Sequence, residues 1–292
     1  MGDGAKVAAE VDARITPDER EAHDWLVVLG AAGVPCRMER GPDGWRVVIA
    51  AGDGARAADA LAAYDSERIE SEPADGRDWG PTRAGLVLAG LLVVAWAFTG
   101  FRADGRPAFL AGEGYVAAIR AGQWWRCVTA LMLHADATHL LGNVAAMALL
   151  GSAVCGRVGP GLGVFLILAA GAGGNALNAV IRDAPHVSVG ASTAIFGALG
   201  ILAGLAILRA RPRRPWMPIA ASLALLGLLG TGEHADLIAH FAGFQVGIGL
   251  GLATAVITSE PPSVRGQRVF ALLTALVVAG SWMLALKTLR RG

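Results

Sequence analysis

The sequence predicts an all-α polytopic membrane protein, a bundle of six helices plus one C-terminal helix, preceded by a small soluble α+β domain. Three observations lead there. Hydrophobic residues make up 54% of the 292-residue chain and charged residues only 17%, where soluble domains carry about 25%. The charges are also unevenly placed: residues 1–83 hold 17 acidic and 10 basic side chains, a balance of −7, and residues 84–292 hold 7 and 15, a balance of +8. From Ala84 onward, charged residues separate apolar intervals of 18–25 residues, about the length a helix needs to cross a bilayer. The total charge of +1 averages two unlike parts. It gives no support for nucleic-acid binding, because the arginines of the second part stand between long apolar runs.

The soluble part occupies residues 1–64. Pro17–Leu29 reads as a helix, with Thr16 as N-cap and acidic residues in its first turn. Val34–Glu39 and Trp45–Ile49 read as strands around the turn Gly41-Pro42-Asp43-Gly44, and Ala55–Tyr64 reads as a second helix. These elements suggest half of a ferredoxin-like sandwich. No catalytic constellation is visible in it; His23 stands alone on a polar helix, where solvation is expected. Residues 65–83, rich in Glu, Asp, Ser and Pro, read as a linker. Residues 1–24 are polar, so no cleavable signal is expected. Cys36, Cys127 and Cys155 form neither a disulfide framework nor a metal-type spacing and are expected to be free thiols, mostly buried.

The apolar intervals are 84–101, 137–156, 158–181, 184–208, 215–232, 237–259 and 269–286. In lipid each must satisfy its own backbone, so all seven are expected to be helical. The interval 102–136 is too polar to span. It carries Trp124 and Trp125, side chains that favour the membrane interface, and reads as a long interfacial loop. The arginine-rich run Arg209–Arg214 after span 4 is expected to be cytoplasmic and the Glu233/Asp236 loop external. That puts the amino terminus in the cytoplasm of a multi-pass protein of the cell membrane, a bacterial inner or plasma membrane.

Strongly polar side chains inside spans mark function. Span 2 opens with His134 to Asn143, including His139; span 4 with Gly190 to Gly197, including Ser192 and Phe196; span 6 with Ala239, His240 and Gly243. These three spans run in the same direction, so the polar groups share one depth, about one to two turns below the interface at 1.5 Å per residue. His139 and Asn143, four apart, share a helix face, whereas His134 is about 140° away from His139 on a helix. A hydroxyl, an imidazole and hydrogen-bond donors at one depth suit acyl transfer. Histidine activates serine, and a helix amino terminus with nearby donors holds an oxyanion. No carboxylate is evident at that depth in another span, so a Ser–His dyad is expected, with Phe196 stacked on the imidazole. Ala239, Gly243, Gly247 and Gly251 form a small-residue stripe that lets span 6 approach span 4 closely. Asn175 and Asn178 read as interhelical hydrogen bonders.

On these residues the chain resembles the rhomboid family of intramembrane serine proteases. Gly190, Ser192, Phe196 and Gly197 match the nucleophile motif. His134, His139 and Asn143 match the His-x4-His-x3-Asn pattern. Ala239, His240, Gly243 and Gly247 match the base motif, and Trp125-Arg126 the Trp-Arg pair of the first loop. The resemblance covers residues 84–259. It implies a six-helix core, Ser192 as nucleophile, and His240 as general base and then acid. It also implies His139, Asn143 and the Ser192 amide as oxyanion donors, water entering from the outer face, and transmembrane proteins in the lipid bilayer as substrates, with no cofactor or metal. The chain departs from the pattern at Cys155, where many bacterial members carry a glutamate, and in residues 260–292, which add a seventh span. Two other functions fit parts of this pattern: a catalytically silent rhomboid-like binder of membrane proteins, and a metal or proton transporter using His134, His139 and His240.

Overall fold

A computed structural model describes residues 9–71, 78–183, 185–209 and 236–290. The fifth apolar interval, 215–232, and most of the basic loop before it lie outside the described residues. The chain divides into two compact units, Met1–Glu72 and Pro73–Gly292.

The first unit runs β1 (Glu10–Thr16), α1 (Glu19–Ala31), β2 (Cys36–Gly41), β3 (Gly44–Ala50) and α2 (Gly54–Ser71). Its antiparallel sheet has the order β1-β3-β2. Three details differ from the sequence expectation. Strand β1 is additional: Val11, Ala13 and Ile15 alternate with polar residues along it. The N-cap of α1 is Asp18, whose carboxylate accepts from the Arg20 amide at 2.9 Å. Thr16 instead ends β1, donating to Glu21 at 2.6 Å. Helix α2 continues to Ser71, well into the segment expected to be a linker. Trp25, Leu29, Val47, Ile49 and Leu61 form the core between helices and sheet, and His23 is exposed.

The second unit is helical. It comprises α3 (Ala84–Thr99), the short α4 (Pro107–Gly112), α5 (Val116–Arg120) and α6 (Arg126–Thr129), then α7 (Ala137–Val158), α8 (Pro160–Ile181), α9 (Ser192–Arg209), α10 (Leu237–Ile257) and α11 (Val264–Leu289). Helices α7 to α11 are long and apolar enough to cross a membrane. Helix α3 is apolar but has only 16 residues, because Gly100 leaves the helix at φ +71°. The protein is a multi-pass membrane protein with a small sheet-containing region at its amino end.

The fourth apolar interval is not helical from its start. Val187–Ser188 forms strand β5, paired antiparallel with β4 (Gly114–Tyr115), and the helix begins only at Ser192. This two-residue ribbon joins the segment between α3 and α7 to the stretch leading into Ser192. Among the described spans, helix α9 is the most buried. Ala194, Ile195, Ala198 and Ile201 enter the main core with Leu166, Ile167 and Ala170 of α8 and Met147 of α7.

The last helix is anchored by a side-chain amide. Gln267 donates to the Val158 carbonyl at 2.9 Å, and its oxygen accepts from the Leu162 amide at 2.9 Å. The α7–α8 corner therefore has a polar partner on α11. Cys155 faces the same corner, buried against Gly163, a contact that leaves little room for a longer side chain. Near the other end of α11, Trp282 donates to the Met132 sulfur at 3.1 Å and meets the edge of Phe98 with ring centroids 5.9 Å apart.

Candidate active site

Helices α7, α9 and α10 each bring polar groups at or near their amino ends. Asp136 caps α7 by accepting from the His139 amide at 2.9 Å, which fixes the first turn that carries His139. Asn143 is buried one turn further along and donates to the His139 carbonyl at 3.0 Å. The Ala135 amide donates to Nδ1 of His139 at 3.4 Å, so Nε2 bears the proton of the neutral ring. Gly190 lies beside that nitrogen with φ +122°. A Cβ there would stand 2.6 Å from His139 Nε2 and 3.5 Å from Ser192 Oγ. The position requires glycine both for its conformation and for this close approach.

Ser192 is the first residue of α9. Its Oγ lies 2.8 Å from Nε2 of His240, a buried side chain in the first turn of α10. The Phe196 ring, one turn beyond Ser192, rests on the imidazole with centroids 4.7 Å apart and planes tilted by 36°. Among the described residues, Nδ1 of His240 has no hydrogen-bond partner. Packing against Phe196, and not a carboxylate on Nδ1, holds the ring. Gly197, Gly243 and Gly247 lie where α9 and α10 touch backbone to backbone.

His134 is placed differently from the sequence expectation. It precedes α7 in extended backbone bridged to Phe101, so helical angles do not apply to it. Its ring sits edge-on to His139 at 5.3 Å and is completely buried. Burial, helped by the neighbouring His139, pushes its pKa down to about 4. Asn175 and Asn178 do bond between elements: Asn175 donates to the Cys127 carbonyl of α6 at 2.9 Å, and Asn178 donates to Ser188 of β5 at 3.0 Å and to Asp236, the N-cap of α10, at 2.8 Å.

In the segment between α3 and α7, Arg126 is buried. It donates to Gln123 at 2.7 Å and to the Glu113 and Leu110 carbonyls at 2.7 and 3.1 Å. Burial lowers the pKa of Arg126, and burial likewise pushes the Glu113 carboxyl up. Trp125 supplies its carbonyl to the Val128 and Thr129 amides, whereas Trp124 is 59% exposed.

A cavity of about 560 Å³ opens over His139, lined also by Arg102, Asp136, Arg182, His186 and Asp236. The sequence marks Asp236 only as part of an external loop, not as a site residue. It is the N-cap of α10, just outside the apolar interval; its cue was an aspartate placed immediately before an apolar run. Burial pulls its carboxyl upward, but hydrogen bonds from Ser188, His186, the Ala239 amide and Asn178 outweigh that. They hold it well below the usual carboxylate range. Among the described residues no group of three or more His, Cys, Asp or Glu side chains has the arrangement to hold a metal ion.

The fold and site define a polytopic helical membrane protein with a serine and a histidine joined inside the bundle. Residues 121–256 match the model of the Rhomboid domain. The chain is 38% identical over 98 residues to the putative rhomboid protease YdcA of Bacillus subtilis, covering 33% of this chain and 48% of that protein. It is 40% identical over 89 residues to rhomboid protease GluP of the same organism, covering 30% and 17%. It is 35% identical over 134 residues to RHOMBOID-like protein 7 of Arabidopsis thaliana, covering 44% and 42%. The chain carries a domain of the rhomboid family over residues 121–256. Its matched stretches span less than half the length of these three relatives.

Proposed function

We propose that this protein is an intramembrane serine endopeptidase that cleaves transmembrane segments of other membrane proteins through a Ser192–His240 dyad. The observation that carries this reading is the 2.8 Å approach of Ser192 Oγ to His240 Nε2, within the reach needed for a nucleophile and its base. The catalytic core is residues 84–259, with 260–292 as an added helix and tail.

In this mechanism His240 Nε2 takes the Ser192 proton as Oγ attacks the scissile carbonyl carbon. The tetrahedral oxyanion is held by the Ser192 backbone amide at the start of α9, by His139 Nε2–H and by the Asn143 side-chain amide. Collapse breaks the C–N bond, and His240 passes its proton to the departing amine. Water then attacks the acyl carbon as His240 takes its proton; the ester bond to Ser192 Oγ breaks, His240 returns the proton to Oγ, and the carboxylic acid product leaves. A regular helix hides its carbonyls, so substrates are transmembrane proteins whose helix opens near the outer face. The proposed setting is a bacterial inner or plasma membrane, with the first unit in the cytoplasm. A silent binder would have no need of a serine and an imidazole held at hydrogen-bond distance.

The test is cleavage of a reporter membrane protein in liposomes by wild type, Ser192→Ala and His240→Ala. Both variants are expected to lose at least about 10³-fold in kcat/KM. Undiminished cutting by either one, or loss of wild-type activity on chelation alone, overturns the reading.

A further inference from the structure

The Asp236 carboxylate gathers donors from three separate parts of the second unit. One oxygen accepts from Ser188 Oγ at 2.6 Å, from His186 Nε2 at 2.6 Å and from Asn178 Nδ2 at 2.8 Å. The other accepts from the Arg182 guanidinium and from the Ala239 amide, each at 3.2 Å. Asn178 lies in the last turn of α8 and Arg182 is its C-cap. His186 and Ser188 flank Val187 at the ribbon that leads to the nucleophile, and Asp236 itself caps the helix that carries the base. Asn178 also donates to Ser188 at 3.0 Å, and Ser188 lies 3.2 Å from His186. The side chains close into one network around a single charge.

Two positions in this network matter for the dyad. Ser188 precedes Ser192 by four residues, and Asp236 precedes His240 by four. The Asp236 carbonyl accepts from the His240 amide at 2.9 Å, so Asp236 and His240 share the opening turn of α10. The ribbon is in turn held to the segment between α3 and α7 by the Gly190 amide, which donates to the Ala130 carbonyl at 2.9 Å. At their far ends Arg209 of α9 donates to Thr258, the C-cap of α10, at 3.2 Å; between the two ends the helices meet through glycines and apolar groups. Hydrogen bonds to a carboxylate are stronger and more directional than those between neutral groups.

We propose that Asp236 is the positioning residue of the Ser192–His240 pair, clamping the approach to the nucleophile onto the helix of the base. This rests on the dyad proposed above. Asp236 does not touch the reacting atoms. It acts through the backbone, setting the spacing between the amino ends of α9 and α10, with the α8 terminus as a fixed post. An asparagine at 236 would turn an NH2 group toward a set of donors and so cannot replace the carboxylate.

The experiment compares full-length wild type with Asp236→Asn, Ser188→Ala, the double variant and Ser192→Ala in liposomes. It measures kcat and KM on the reporter, the rate of labelling by a serine-directed fluorophosphonate, and the melting temperature. A misplaced reacting pair costs up to about 100-fold. Asp236→Asn is therefore expected to lower kcat roughly 30-fold and to slow labelling in parallel, with KM within about threefold. Ser188→Ala is expected to lower kcat roughly fivefold, and the double variant to fall no further than Asp236→Asn alone, as members of one network do. A folded Asp236→Asn with wild-type kcat and only a lower melting temperature overturns the proposal. If that variant fails to fold, Ser188→Ala decides: wild-type kcat and labelling overturn the clamp, and the parallel loss supports it. Cleavage by Ser192→Ala removes the dyad itself and the clamp with it, an outcome distinct from an active Asp236→Asn beside an inactive Ser192→Ala.

Discussion

A methyl group placed on Gly247 of α10 would collide with the backbone carbonyl oxygen of Gly197 on α9. The same holds along the seam: Gly243 lies against the Thr193 carbonyl, Gly251 against that of Ile201, and Gly200 against that of Phe244. The two helices touch through their main chains, and this closeness brings His240 to Ser192.

Gly247→Ala is therefore expected to push α10 away from α9, lowering stability by about 1–3 kcal/mol and cleavage by more than tenfold. Gly249, two residues along, has open space where its Cβ would stand. Gly249→Ala should leave both melting temperature and cleavage at or slightly above wild type, since alanine favours the helix. Equal behaviour of the two variants would contradict the backbone-contact account.

Asn143→Ala should reduce turnover without abolishing it. A single oxyanion donor is worth about 10²–10³ in kcat, and the His139 and Ser192 donors remain. Its bond to the His139 carbonyl lies within one helix, so KM is expected to hold within about threefold. Single-turnover kinetics on the reporter would check this; complete loss in folded protein would exclude shared donors.

His134 carries a pH prediction. Its pKa in the fold is near 4, against an ordinary value of 6.5, so the unfolded chain binds a proton more readily. The stabilisation linked to the neutral ring is full above about pH 6.5 and is lost as pH falls toward 4. Melting in detergent between pH 7.5 and 4 should show this decline, and His134→Phe should flatten it. An unchanged slope in that variant would place the acid sensitivity elsewhere.

The approach of Ser192 to His240 was legible because serine and histidine are expensive in apolar runs, and because alternate spans point the same way. Ser192, His240, His139 and Asn143 could be assigned to one layer by counting residues along helices. The method failed where the backbone is not helical. His134 falls three residues before α7 and meets His139 instead of facing away from it. The β4–β5 ribbon is too short to show alternation, so the fourth span seemed to begin before its helix does. Asp236 and Gln267 lie at the margins of apolar intervals, where a polar residue reads as a boundary; that each one ties distant segments together depends on tertiary packing. The alternation in β1 was present at Val11, Ala13 and Ile15 but lay among charges.

The Gln267 bridge bears on how the molecule is made. The groups it satisfies, at Val158 and Leu162, leave the ribosome 109 and 105 residues earlier, a delay of roughly 5–20 s at ordinary elongation rates. Throughout that interval the corner between the second and third crossings is unfinished in the nascent chain. Membrane insertion can proceed helix by helix, but completion of this corner awaits α11. Quality-control machinery in the membrane would meet any prematurely terminated product with that corner still open.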